Sequence, residues 1–134
     1  STMPNVLAEL ALKQLETLNI NIVHRKSIAK VHDESLKVGK LGSYSENSAY
    51  MRYPIRVDEP RKLTSQLKKQ GIHLDSSWQG VIAPCDSDMS TTGYKQGSCP
   101  NAERLAPQII GLPTQMEVTV EDARRIASAI NTLT

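Results

Sequence analysis

With 134 residues, 39% of them hydrophobic and 22% charged, the chain has the make-up of one ordinary globular domain. A net charge of +2 is too small to imply a nucleic-acid partner or a membrane surface, and no apolar run approaches the roughly 18 residues of a membrane span. Phe is absent and Trp occurs once, so the core must be aliphatic; Cys85 and Cys99 match no zinc spacing and read as a reduced pair in a cytoplasmic protein without a signal peptide, with a disulfide as the alternative.

Residues from Met3 to Leu36 carry helical periodicity, with Leu7, Leu10, Ala11, Leu15, Leu18, Ile22, Ile28 and Ala29 near one stripe. Asn19 to Val23 is a weak patch of Asn and β-branched residues where a bend is expected. About 30 helical residues span about 45 Å. A compact domain of this size has a radius of gyration of about 14 Å, hence a diameter of about 35–40 Å. Either the helix breaks, or its N-terminal half packs on something outside this chain.

A loop is expected over 37–48. Ala49 to Val57 alternates as a strand, with Pro54 confining it to an edge or a bulge. A helix over 60–70 should end at Gly71 as the residue after its cap. Ile72 to Leu74 is expected as a second short strand. Residues 75–98 read as a long polar loop, followed by a short helix opening at Cys99-Pro100 with Glu103 in its first turn. Ile109 to Pro113 is a third strand. Thr119 with Asp122 predicts a near capping box for a last helix lined by Ala123, Ile126, Ala127 and Ile130. The order implies an α+β fold: a small, mostly antiparallel sheet of about three strands covered by helices, with a long N-terminal helix.

No self-contained catalytic group is visible. His24 and His32, eight residues apart on the long helix, have no acidic ligand beside them, and His73 lies next to Asp75; all three read as packing or surface residues. Cys99 at a helix start has no base beside it and reads as a capping residue. Gly93 and Gly97 could let a helix start hold an anion, or form a plain turn into it. Trp78, Tyr94 and Lys95 share the long loop. Their rings suit stacking on a planar group and the lysine suits phosphate, while Trp78 could equally cover the core.

The run Gly93-Tyr94-Lys95-Gln96-Gly97-Ser98-Cys99-Pro100-Asn101-Ala102-Glu103-Arg104-Leu105-Ala106, with Ile109-Ile110-Gly111-Leu112-Pro113-Thr114 after it, resembles the C-terminal signature of the DegT/DnrJ/EryC1/StrS aminotransferases. Thr119 to Ala123 fits that family's last helix, Met3 to Leu15 with Arg25 and Ala29 its linking helix, and Tyr53-Pro54-Ile55-Arg56-Val57 its first small-domain strand. The resemblance implies the small domain of a fold-type I pyridoxal-phosphate (PLP) enzyme. Residues 1–36 would be the linking helix and 37–134 the small domain.

In the parent enzyme the resemblance implies PLP, a homodimer, and transfer of an amino group to a keto sugar attached to a nucleotide. The cofactor lysine and most phosphate contacts would lie in a missing N-terminal PLP-binding domain, so this chain alone is expected to hold no cofactor, no catalytic residue and no metal. Trp78, Tyr94 and Lys95 become the candidate substrate contacts. The stretch Asp75 to Pro84 departs from the His-Tyr-Pro-rich version many sugar aminotransferases carry. The alternative is a non-catalytic binding or dimerisation module derived from the same domain.

Overall fold

The computed structural model describes residues 4–74, 80–82 and 87–134. In chain order its elements are α1 (Asn5–Ser35), β1 (Tyr53–Arg56), α2 (Pro60–Lys69), α3 (Met89–Thr92), α4 (Pro100–Leu105), a 3₁₀ turn (Ala106–Gln108), β2 (Ile109–Leu112) and α5 (Val120–Leu133). The fold is α+β, with a long N-terminal helix and a small antiparallel sheet.

β1 and β2 pair antiparallel, with Tyr53 opposite Leu112 and Ile55 opposite Ile110. One face of the pair, carrying Tyr53, Ile55, Ile110 and Leu112, is buried. It packs with Ala29 of α1, Leu63 and Leu67 of α2, and Ile126, Ala127 and Ile130 of α5. This core is aliphatic but for Tyr53, as the composition requires. Along β1 the N–H of Val57 points to Gln108 and that of Arg56 to Gly39. Pro54 shares the side of Arg56, so its missing donor faces away from β2, the edge placement expected of a strand proline.

Two expected strands change. Residues 72–74 are not a strand. Gly71, at φ +73, ends α2 in a left-handed cap. Its N–H reaches the Lys68 carbonyl (3.1 Å) and the Ile72 N–H reaches that of Leu67 (3.0 Å), the paired bonds of a Schellman motif. Ile72 is apolar because it closes this cap against Leu67 in the core, and not because it enters a sheet. The third segment beside the sheet is instead the turn at Gly39-Lys40, which bridges Ile55. A Cβ on Gly39 would stand 2.8 Å from the Arg56 carbonyl oxygen, so only glycine lets the turn approach. The first strand is also shorter than Ala49–Val57, because Tyr50 adopts φ +47 and leaves extended geometry. The long polar loop contains the short helix α3.

α1 does not break. It runs from Asn5 to Ser35 through the Asn19–Val23 patch, whose lower propensities amount to tenths of a kcal/mol per residue. Only Ile28, Ala29 and His32 are buried. The earlier two-thirds leaves Val6, Leu10, Leu15, Leu18, Ile20 and Val23 exposed, Val23 at 68%. No helix among the described residues is long and apolar enough to cross a membrane.

Side-chain hydrogen bonds tie α1 to the sheet and α5. Asn131 of α5 donates to the Ser35 carbonyl and accepts from the Lys37 N–H, both at 2.9 Å, and so closes the C-terminal end of α1. Arg25 donates to the Met51 carbonyl at 2.8 Å and to Thr114 Oγ1 at 3.3 Å. The fully buried Thr114 hydroxyl lies 2.6 Å from the Tyr50 carbonyl and 3.0 Å from that of Met51.

His32, also fully buried, stacks on Tyr53 with ring centroids 5.9 Å apart. Its Nε2 meets the Pro113 carbonyl at 3.1 Å, so Nε2 carries the proton, and Nδ1 has no partner among the described residues. Burial lowers its pKa, because a second proton would put a charge in a desolvated site. The folded state thus favours the neutral ring, and the unfolded chain takes up a proton first as pH falls through the ordinary value of 6.5. Stability is full above that pH and declines below it, until the folded ring itself protonates. Urea melts at pH 7.5 and 5.5 should differ, and His32→Gln should shrink the difference. An unchanged difference in that variant would clear His32 of the effect.

The capping box of α5 is complete. The Thr119 hydroxyl accepts from the Asp122 N–H at 3.1 Å, and the Asp122 carboxylate accepts from the Thr119 N–H at 3.1 Å. Thr119→Ala should lower stability by about 1 kcal/mol in urea melts, the usual worth of an N-cap.

Candidate functional site

Of the residues singled out in the long loop, Tyr94 and Lys95 fall in a built segment of turns. Asp88 caps α3 by accepting from the Ser90 N–H at 2.9 Å, and its carboxyl is held below the usual range by the Ser90 hydroxyl and N–H. Gly93, at φ +70, reverses the chain after Thr92. Lys95 to Ser98 then closes a second turn, with the Ser98 N–H on the Lys95 carbonyl at 3.1 Å and Gly97 at φ +91 in the third position, where a type II turn needs glycine. Cys99 leads into α4, with Pro100 as its first residue.

Glu103 gathers this segment. Its Oε1 accepts from the Tyr94 hydroxyl, from the Gly97 N–H at 2.7 Å and from the Cys99 N–H at 3.3 Å. The spacing Tyr94, Gly97, Cys99, Glu103 is the footprint of one carboxylate oxygen holding a turn onto the first turn of α4. The Tyr94 bond lowers the Glu103 pKa, and the same bond pushes the Tyr94 phenol up to about 12. In sequence Glu103 reads as an acidic residue in a first helical turn and as part of the Cys-Pro-Asn-Ala-Glu block of the resemblance, and neither marks it as an anchor. The signal that could have found it was its distance from Tyr94 and Gly97, which makes sense only once the turn is folded.

Tyr94 opens onto a cavity of about 280 Å³ whose walls include Val81, Ile82, Met89, Glu103 and Pro107. Lys95 stands exposed on the adjoining turn and does not line the cavity. Trp78 lies outside the described residues, as does Cys85; Cys99 is an exposed free thiol. A larger cleft of about 600 Å³ runs between the Gly39-Lys40 turn and α2. Its Lys62 is already paired with Glu59 at 2.8 Å, and it gathers none of the loop residues. The smaller cavity is therefore the candidate site, because the tyrosine, the acidic keystone and the apolar walls converge there.

Comparison with known proteins bears on the family and the fold. The model of the DegT/DnrJ/EryC1/StrS aminotransferase family matches residues 1–131. A DegT DnrJ EryC1 StrS aminotransferase from Brucella abortus superposes with a TM-score of 0.73 at 25% identity, over 91% of this chain and 33% of that one. DesV of S. venezuelae, solved in complex with a ketimine intermediate, superposes at 0.76 with 19% identity, over 92% of this chain and 34% of its own. DesI, solved in the presence of its TDP-sugar product, gives 0.68 at 18% identity over 90% and 33%. At those identities the last two speak for the fold alone. An uncharacterized protein of Methanocaldococcus jannaschii, MJ1066, is 25% identical over 148 aligned positions, 96% of this chain and 36% of the relative. The chain spans about a third of the length of the proteins it matches.

Proposed function

This chain belongs to the DegT/DnrJ/EryC1/StrS aminotransferase family, and we propose that it serves there as the C-terminal small domain of a PLP-dependent aminotransferase acting on a nucleotide-linked keto sugar. Residues 1–36 form the linking helix, and residues 37–134 wall one side of the substrate pocket and add contacts to a homodimer in the cytoplasm.

The observation that carries this reading is the first two-thirds of α1. Val6, Leu10, Leu15, Ile20 and Val23 are exposed on an unbroken helix, at positions spread around its circumference. Apolar residues on all sides of a helix call for cover on all sides. A cofactor domain packed along α1 supplies that cover, and the matched relatives are about three times as long.

The residues present do not fit a cofactor site. A lysine that forms a Schiff base is activated by desolvation or a cationic neighbour. Every lysine here is exposed except the half-buried Lys26, whose ammonium is bound to the Glu46 carbonyl. The isolated chain should therefore neither hold PLP nor transaminate. Adding PLP and recording the visible absorbance tests this; a stable band with turnover sinks the reading.

Trp78, Tyr94 and Lys95 are the proposed substrate contacts. With the Tyr94 hydroxyl committed to Glu103, the ring remains to stack on a planar base, and Lys95 beside it can meet phosphate. The TDP-sugar product in whose presence DesI was solved is a ligand of that chemistry.

A further inference from the structure

We propose that the cleft between α2 and the segment after it binds a phosphate group, with Arg61, Lys68 and His73 as its principal donors. This site lies apart from the Tyr94 cavity and does not rest on the reading of that cavity as a substrate pocket.

α2 carries Arg61, Lys62, Lys68 and Lys69 and no acidic residue from Pro60 to Lys69. Positions 61, 64, 65 and 68 follow one another at steps of three and four, so Arg61, Thr64, Ser65 and Lys68 share one face of the helix. The core takes a different face, through Leu63 and Leu67. The Schellman motif at Gly71 then turns the chain back, and the buried Ile72 pins it. His73 and Leu74 are thereby set beside the basic face, and these six residues line a cleft of about 320 Å³.

The cleft collects donors that nothing in it answers. No carboxylate lines it among the described residues. The side chains of Arg61, Lys68 and His73 have no hydrogen bond or ion pair to a described residue. A helical hydroxyl commonly bonds back to a carbonyl of the preceding turn. Thr64 does so, donating to the Arg61 carbonyl at 3.1 Å. Ser65 makes no such bond, so its hydroxyl remains for a ligand. The larger cleft on another face of α2 is built the other way. It holds Asp58 and Glu59, and there Lys62 is paired with Glu59 at 2.8 Å. Arg61, one residue away, faces a wall of donors instead.

Such a set suits a tetrahedral dianion better than a carboxylate. The planar fork of Arg61 takes two oxygens, Lys68 supplies a point charge, and the His73 ring and Ser65 hydroxyl can reach the remaining acceptors. Arg61 and Lys68 lie about 10.5 Å apart along the helix axis, so their long stems close on a group between them. Two sources carry that group: free inorganic phosphate and the diphosphate of a nucleotide.

Titrating the ¹⁵N-labelled chain with sodium phosphate in one arm and thymidine diphosphate in the other, against sodium chloride at matched ionic strength, tests the proposal. The Arg61 Nε–H and the Ser65, Lys68 and His73 N–H resonances should shift saturably in at least one arm, and the tighter arm identifies the source. Arg61→Gln and Lys68→Gln should each weaken the apparent affinity about tenfold, the scale of a lost charge-assisted hydrogen bond. Ser65→Ala should weaken it about threefold. Arg61→Lys should recover part of the loss. Lys69→Gln removes the same charge from α2 outside the cleft and should leave the affinity within about twofold. These side chains are exposed, so unchanged urea midpoints will show that the variants fold. No shift beyond chloride in either arm overturns the proposal. Equal weakening by Lys69→Gln and Arg61→Gln also overturns it, since diffuse charge alone would then account for the binding.

Discussion

Thr114→Val should destabilise the domain by about 2 kcal/mol in urea melts, while Thr114→Ser stays close to the parent. Valine matches threonine in volume and methyl packing, so the difference isolates the hydroxyl. That hydroxyl is fully buried and is the partner of the Tyr50 carbonyl. Without it, a carbonyl is left unpaired on a residue already held at φ +47, and Arg25 loses one of its two acceptors. The Met51 carbonyl keeps Arg25, so the loss should resemble one orphaned group rather than three. Equal stability of the valine and serine variants would show that the hydroxyl is not what holds Tyr50.

Glu103→Ala should release the Tyr94 turn, and the phenol reports it directly. Tyr94 is pushed up to about 12 from its ordinary 10.0, first by the hydrogen bond to Glu103. With the carboxylate removed, it should ionise near pH 10, visible as an ultraviolet change at pH 10–11 that is absent when Tyr94→Phe is added. The Gly97 and Cys99 N–H groups lose the same acceptor and should exchange faster with solvent. Glu103→Gln retains an acceptor oxygen without the charge and should fall between. If the proposed pocket is right, the alanine variant of the complete enzyme should raise KM more than it lowers kcat. An unchanged phenol titration in Glu103→Ala would refute the keystone role.

The parts of the fold that could be read in the sequence are those whose physics is local. Thr119 and Asp122 stand three residues apart and form the box their spacing predicts. Pro100 opens α4, Gly71 closes α2, and Ala123, Ile126, Ala127 and Ile130 are buried on one side of α5. Ile72 misled because an apolar residue after a helix-ending glycine has two meanings, the start of a strand or the far contact of the cap itself. Tyr94 and Lys95 could be placed on one turn, but Glu103 could not be seen as its anchor, because three donors converge on one oxygen only after folding. The Thr114 network joins residues 64 and 89 positions apart and leaves no periodic trace. The family resemblance takes in both Arg25 and Thr114, but their contact exists only in the folded chain.

The unbroken α1 also has a mechanical consequence. Arg25, Ile28, Ala29 and His32 clamp its last third, while Asn5 to Val23 form a free arm of about 28 Å. A straight helix is stiff over that length, so the arm behaves as a cantilever. A tilt of about 5° at the clamp carries the far end through about 2.5 Å. Whatever body rides on that arm is geared to the sheet through Thr114 and Pro113, and a proline placed at Ile22 would uncouple the two.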